Sequence, residues 1–146
     1  MNKKKLLVLT STFPRWKDDT IPSFVYELSR RLTKKFEVHV SMPSYPGAKK
    51  FEEMDNIKVH RFHYFIPKFE RLAGEGGMLP VLDKNPFYWF LVPFFLISSF
   101  FSFVSLNKKI KPSTIHAHWI IPQGLIAAVY KKIFGLKSRF VVTSHG

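Results

Sequence analysis

Thr114-Ile115-His116-Ala117-His118-Trp119-Ile120-Ile121-Pro122-Gln123-Gly124, followed by Phe140-Val141-Val142-Thr143-Ser144-His145-Gly146, decides the reading of this chain. Each stretch is a short apolar β-run that delivers histidine at its C-terminal end. Between them, residues 123–134 read as a helix stopped by Gly135. Strand, helix, strand is the pattern of a parallel sheet. In open parallel sheets ligands gather at the C-terminal ends of strands. Three histidines delivered there predict a polar cleft. A strand-end His-Gly is an odd place for a natural domain to finish, so the chain reads as the front part of something larger.

Outward from this core, the same alternation continues. Residues 5–11 form an apolar run of the kind buried on both faces of a parallel sheet. A loop over 12–21 follows, and Pro22 suits the first turn of a helix with an apolar stripe at Phe24, Val25, Leu28 and Leu32. Strands are predicted at 36–42 and 57–65, then a glycine-bearing turn at 74–77. A long apolar segment precedes the strand at 114–117, and a last strand covers 140–144. The alternation predicts an α/β fold with a mainly parallel sheet flanked by helices.

Composition narrows the partners. The 146 residues carry 23 Lys+Arg against 10 Asp+Glu, a formal charge of +13, and no cysteine. Disulfides and thiolate chemistry are therefore excluded, in keeping with a reducing cytoplasm. The basic residues come in short groups such as Lys34-Lys35, Lys108-Lys109 and Lys131-Lys132. With 16 phenylalanines and three tryptophans, basic plus aromatic points to an anionic membrane surface and away from nucleic acid. The Leu6-Leu7-Val8-Leu9 run is too short for a secretory signal and reads as a buried strand.

Residues 87–106 are uncharged, and about 20 apolar residues match a bilayer crossing. Topology argues otherwise. Strands on both sides of the segment would fall in different compartments if it spanned. A packed or membrane-grazing helix is the expectation.

Several residues carry possible chemistry. The strand-loop-helix junction after Ser11 directs backbone N–H groups toward a ligand, yet residues 12–21 hold no glycine, so dinucleotide and Walker fingerprints are missing. His39, His60 and His63 fall in expected strands and read as structural. His116 and His118 share one strand face, but no carboxylate or cysteine lies near in sequence to complete a zinc site. His145, at a strand tip before glycine, is the best functional candidate, able to meet a substrate hydroxyl or phosphate.

Taken in order, Thr10-Ser11-Thr12-Phe13-Pro14-Arg15-Trp16, Met42-Pro43, the stretch from Val59 to Tyr64, Glu70-Arg71-Leu72, Asn85-Pro86, His116-Ala117-His118-Trp119, Pro122-Gln123-Gly124 and Thr143-Ser144-His145-Gly146 resemble the N-terminal half of family 4 retaining glycosyltransferases. The resemblance implies a Rossmann-like domain forming the N-terminal half of a GT-B fold. Residues 1–146 would be a single incomplete domain, with the nucleotide-sugar-binding domain and its Glu-x7-Glu signature absent. It implies a nucleotide-sugar donor, a carbohydrate or lipid-linked acceptor, no metal and no other cofactor.

By the same resemblance His145 would be catalytic, beside the transferring sugar. Thr12, Phe13, Pro14, Trp16, His118, Trp119, Gln123, Gly124 and Gly146 would bind substrate. Many relatives carry glycine in the first loop, where this chain reads Asp19-Thr20-Ile21-Pro22, so no glycine contact to the diphosphate carries over. The implied setting is the cytoplasmic face of the plasma membrane, with a cell-envelope or exported polysaccharide or glycolipid as acceptor. Two other readings compete: a non-catalytic carbohydrate- or membrane-binding fragment, and a small protein anchored through 87–106.

Overall fold

In a computed structural model describing residues 2–20, 24–73 and 77–145, strand β1 (Lys4–Leu9) lies at the centre of a six-stranded sheet. Leu6 and Val8 point to one face, Leu7 and Leu9 to the other, and all four are buried. That is why the run is apolar throughout instead of alternating. The chain continues through α1 (Phe24–Leu32), β2 (Phe36–Pro43), β3 (Phe51–Met54), β4 (Ile57–Phe62), α2 (Met78–Lys84), α3 (Val92–Ile110), β5 (Thr114–His118), α4 (Leu125–Phe134) and β6 (Arg139–Thr143). The strand order is β3-β4-β2-β1-β5-β6. Only the β3–β4 pair is antiparallel. The expected mainly parallel, helix-flanked sheet is present.

One sheet face packs Leu6, Val8, Val38, Val40 and Val59 with Val25 of α1 and Phe13. The other packs Leu7, Leu9, Ile115 and Ala117 against Phe103, Leu106 and Ile110 of α3 and Ile126 and Tyr130 of α4. Phe103 is 1% exposed, and truncating such a ring to alanine costs about 3–5 kcal/mol.

Several boundaries differ from the sequence reading, each for a physical reason. Strand β1 stops at Leu9 because the Thr10 hydroxyl turns the chain, accepting from Thr12 N (3.1 Å) and donating to Thr12 O (3.0 Å). Strand β4 stops at Phe62 because the buried Glu70 carboxylate accepts from the amides of Tyr64 (3.0 Å) and Phe65 (3.3 Å). His63 therefore lies beyond the strand, its Nδ1 3.0 Å from Glu70 Oε2. The buried side of α1 is Val25 and Ser29, while Phe24 and Leu28 are exposed. Helix α4 begins at Leu125 because residues 120–124 form a wide turn containing the extended Ile121.

Strand β3 was not expected. Asp55 and Asn56, both at positive φ (48° and 64°), close it onto β4 as a two-residue hairpin turn. Helix α2 was not expected either. The proposed helix start at Pro22 and the Gly74-Glu75-Gly76 turn lie outside the described residues.

The apolar segment divides into a 3-10 stretch (Pro86–Leu91) and α3. The Asn85 side chain caps it by accepting from Phe87 N (3.1 Å). By length and composition Pro86–Ile110 could cross a membrane. However, Phe95, Ser99, Phe103, Leu106 and Ile110 are buried against the fold, and β4 and β5, on either side in sequence, share one sheet. The helix packs on the sheet, as the topology of the sequence implied.

Candidate active site

From β1 the chain builds outward to β2 and β4 on one side, then to β5 and β6 on the other. Such a reversal of strand order opens a crevice beyond the carboxyl ends of the two central strands. Here those ends are Ser11-Thr12 after β1 and His118-Trp119 after β5. Ser11, Thr12 and Trp119 line a hollow of about 470 Å³ with Phe24, Ile121 and Pro122, closed by Met78, Leu79 and Pro80 of α2.

Parallel pairing of β5 with β6 sets His118 opposite Thr143, two residues before His145. The His118 Nδ1 lies 3.0 Å from His145 Nε2. His116 sits beside His118 on the same face, ring centroids 4.2 Å apart, and its Nε2 is 2.6 Å from Thr143 Oγ1. The His145 ring is held between Phe24 (4.4 Å) and Trp119 (4.7 Å). Trp119 is positioned by its backbone, which adopts φ 71°; its N donates to Thr143 O (2.9 Å) and its O accepts from Gly124 N (3.1 Å).

Burial, reinforced by the neighbouring His116 and His145, pushes the His118 imidazole down to about 3. His118 is 1% exposed and neutral at physiological pH. A neutral ring has one N–H and one lone pair. If His118 Nδ1 donates to His145, the Nδ1 of a neutral His145 carries a proton and can donate to a ligand. If His118 Nδ1 accepts, His145 Nδ1 is a base. Among the described residues His118 Nε2 is buried without a partner, and His145 Nδ1 has no protein partner. The arrangement presents one oriented nitrogen on a ring packed between Phe24 and Trp119, two residues of the cleft wall.

The other sequence candidates separate by position. Thr12 and Trp119 line the cleft, and His145 packs against Trp119. Pro14 and Trp16 line a neighbouring hollow of about 430 Å³ with Asp18, Asp19 and Tyr26. Phe24 borders both hollows. Phe13 points the other way, 1% exposed and packed edge-on against Tyr26 at 5.5 Å. Gln123 is 3% exposed. With its amide oriented to match both ends, it donates to His118 O (3.3 Å) and accepts from Ser11 N (3.0 Å), stapling the two strand ends together. At Gly124 a Cβ would stand 3.2 Å from Trp119 O and 3.3 Å from Val142 Cγ1, so glycine lets this turn close. Gly146 lies outside the described residues.

Sequence reasoning placed Phe24 on a helical stripe and missed its role in the site. Its place two residues after Pro22, at the head of a helix facing strand ends, was the available signal. The first loop is stiffened by Asp19, whose carboxylate accepts from Arg15 N (2.8 Å), Nε (2.9 Å) and Nη2 (3.0 Å). The buried Arg61 guanidinium reaches Pro14 O of the same loop (3.5 Å) while donating to Lys49 O (2.8 Å) and pairing with Glu52 (3.1 Å).

A family model described as glycosyl transferase 4-like matches residues 19–146. Among solved structures the chain is similar to sucrose-phosphate synthase from Thermosynechococcus elongatus. In one structure of that enzyme the TM-score is 0.59 at 12% identity, covering 98% of this chain and 64% of that one. In a second the values are 0.56, 14%, 98% and 33%. Identities this low carry the likeness of fold, and the chain spans less than two thirds of either structure. No curated protein matches the sequence.

Proposed function

The chain belongs to the glycosyl transferase 4-like family, and from that premise we propose that it is the acceptor-side half of a retaining glycosyltransferase. The donor is a nucleotide sugar, and the acceptor a cell-envelope or exported polysaccharide or a glycolipid, met at the cytoplasmic face of the plasma membrane. The reaction requires no metal. In this reading residues 1–146 by themselves are inactive, because the family's Glu-x7-Glu pair of donor-binding carboxylates is not among them.

The observation that carries the reading is the His118–His145 pair at the switch point of the sheet. Buried, neutral His118 fixes the imidazole of His145 against Trp119 and Phe24, two residues of the cleft wall. In the donor tautomer, His145 Nδ1–H hydrogen bonds to a sugar hydroxyl or to the departing phosphate oxygen. That contact favours the transition state as negative charge grows on the leaving group. Trp119 and Phe24 offer flat apolar surface for the faces of a sugar ring.

The test is turnover of nucleotide sugars by the natural gene product containing residues 1–146, with acceptors extracted from its membranes. Transfer that disappears in the His145 variant and keeps the donor's anomeric configuration supports the reading. Transfer indifferent to His145, or inversion at the anomeric carbon, overturns it.

A further inference from the structure

Beside the cleft, and sharing Phe24 with it, lies the second hollow of about 430 Å³. It opens between the loop over residues 14–20 and helix α1, with buried Pro14 and Met54 in its lining. The chemistry assigned to the His118–His145 pair makes no use of it.

Two aromatic rings of this hollow are held in place by residues outside its lining. Trp16 is 40% exposed, yet the Arg15 guanidinium lies 4.6 Å from its ring centroid and 5.0 Å from that of Tyr45. Arg15 is itself tied down, donating to Asp19 through Nε and Nη2, so a fixed planar cation backs the indole. The Tyr26 hydroxyl donates to Asp55, and its ring meets buried Phe13 edge-on. Aromatic rings locked in this way have little rotamer freedom left to lose when a ligand covers them. Apolar rings with a few aimed polar groups are the usual make-up of a small-molecule site.

The polar groups here accept more than they donate. Asp18, Asp19 and Glu27 line the hollow against Lys17 and Thr20. Asp19 is committed to Arg15, and Glu27 Oε2 to Arg30 (3.0 Å). Asp18, set at φ 64° on the loop, has no hydrogen bond or ion pair among the described residues. The Asp18 carboxylate and the second oxygen of Glu27 are left to accept from a ligand. Carboxylates beside flat apolar rings suit a pyranose, whose hydroxyls donate and whose C–H faces are apolar. The same carboxylates repel a uronate or a phosphorylated sugar.

We propose that this hollow binds a second, uncharged sugar unit of the acceptor, next to the ring received against Trp119 and Phe24. Phe24 borders both hollows, which lets adjoining rings of one chain meet at it. The acceptor is then an oligosaccharide of at least two units, not a single sugar on an aglycone. The word acceptor rests on the glycosyl transfer proposed above, whereas occupancy of the hollow is read by binding alone.

The test is calorimetric titration of the natural gene product containing residues 1–146. The probes are neutral disaccharides of glucose, mannose, galactose and N-acetylglucosamine, their parent monosaccharides, and digalacturonate. At least one neutral disaccharide should bind at least about tenfold more tightly than its parent monosaccharide, and digalacturonate more weakly than that disaccharide by a similar factor. Trp16→Ala should erase the disaccharide's advantage without changing monosaccharide binding. Asp18→Asn, an isosteric change that positive φ tolerates, should weaken the disaccharide about fivefold and spare the monosaccharide. The proposal is overturned if no disaccharide outbinds its monosaccharide, if the advantage survives Trp16→Ala, or if digalacturonate binds as tightly as the neutral disaccharide. Disaccharide binding with these dependences in a protein that transfers no sugar would overturn the proposed function and leave this site standing.

Discussion

His118 Nδ1 and His145 Nε2 are 3.0 Å apart, with ring planes differing by 7°, although 27 residues separate them in the chain. Parallel pairing of β5 and β6 makes the contact, and burial keeps the inner partner neutral. A histidine oriented by a second, non-titrating histidine has one free nitrogen and one allowed direction. That geometry suits a hydrogen-bonding role at a reacting centre better than a free surface imidazole does.

His145→Ala in the natural gene product should lower the catalytic rate at least about tenfold, since a positioned proton-handling group contributes about 10²–10⁴-fold, and should cost about 1–3 kcal/mol of stability because buried His118 Nδ1 loses its partner. His39→Ala is the comparison. His39 lies away from the cleft, bonded to Glu37 (2.8 Å) and His60 (3.0 Å), so it should lose stability and keep its rate. Equal rates for wild type and the His145 variant would return His145 to a structural role.

Stability should fall on acidification from pH 7 to pH 5. Burial lowers His39, His60, His116 and His118, His60 to about 4 and His118 to about 3. Between those values and the unfolded value near 6.5, the unfolded chain binds more protons than the native one. The contribution is therefore complete above about pH 6.5 and is lost as pH drops. Each fully shifted histidine adds about 1.4 kcal/mol per pH unit at its steepest. Urea denaturation at several pH values should show this slope, and His118→Asn should flatten it.

Glu70→Ala should destabilise by about 2–4 kcal/mol, because it leaves the amides of Tyr64 and Phe65 without their acceptor. Glu70→Gln keeps one oxygen and should lose less. Chemical denaturation of both variants measures the difference, and a loss below about 0.5 kcal/mol for alanine would remove Glu70 from its anchoring role.

Gly124→Ala should cost about 1–2 kcal/mol, since the added methyl meets the Trp119 carbonyl and the Val142 side chain. The movement it forces falls on the turn that carries Trp119. Weaker acceptor saturation should therefore accompany the stability loss, and an unchanged KM would separate this turn from the site.

The alternation of apolar runs and helical stripes was legible in the sequence because both patterns are local: a buried parallel strand must be apolar on both faces, and a helix must repeat near 3.6 residues. For the same reason the histidines at strand ends could be picked out and the six-strand sheet foreseen in five of its strands. Strand β3, with Glu52 and Glu53, lacks the apolar signature and forms because Asp55-Asn56 folds it back on β4.

Which groups meet was decided by the tertiary structure. Glu70 stops β4 by capturing amides that precede it, Phe24 turns from a core position into a cleft wall, and Phe13 does the reverse. The uniform apolar character of 87–106 was plain in the sequence, yet only the sheet selects which stripe of α3 is buried and which stays exposed. Apolar identity belongs to each residue, whereas burial belongs to the pair of surfaces that the strand order brings together.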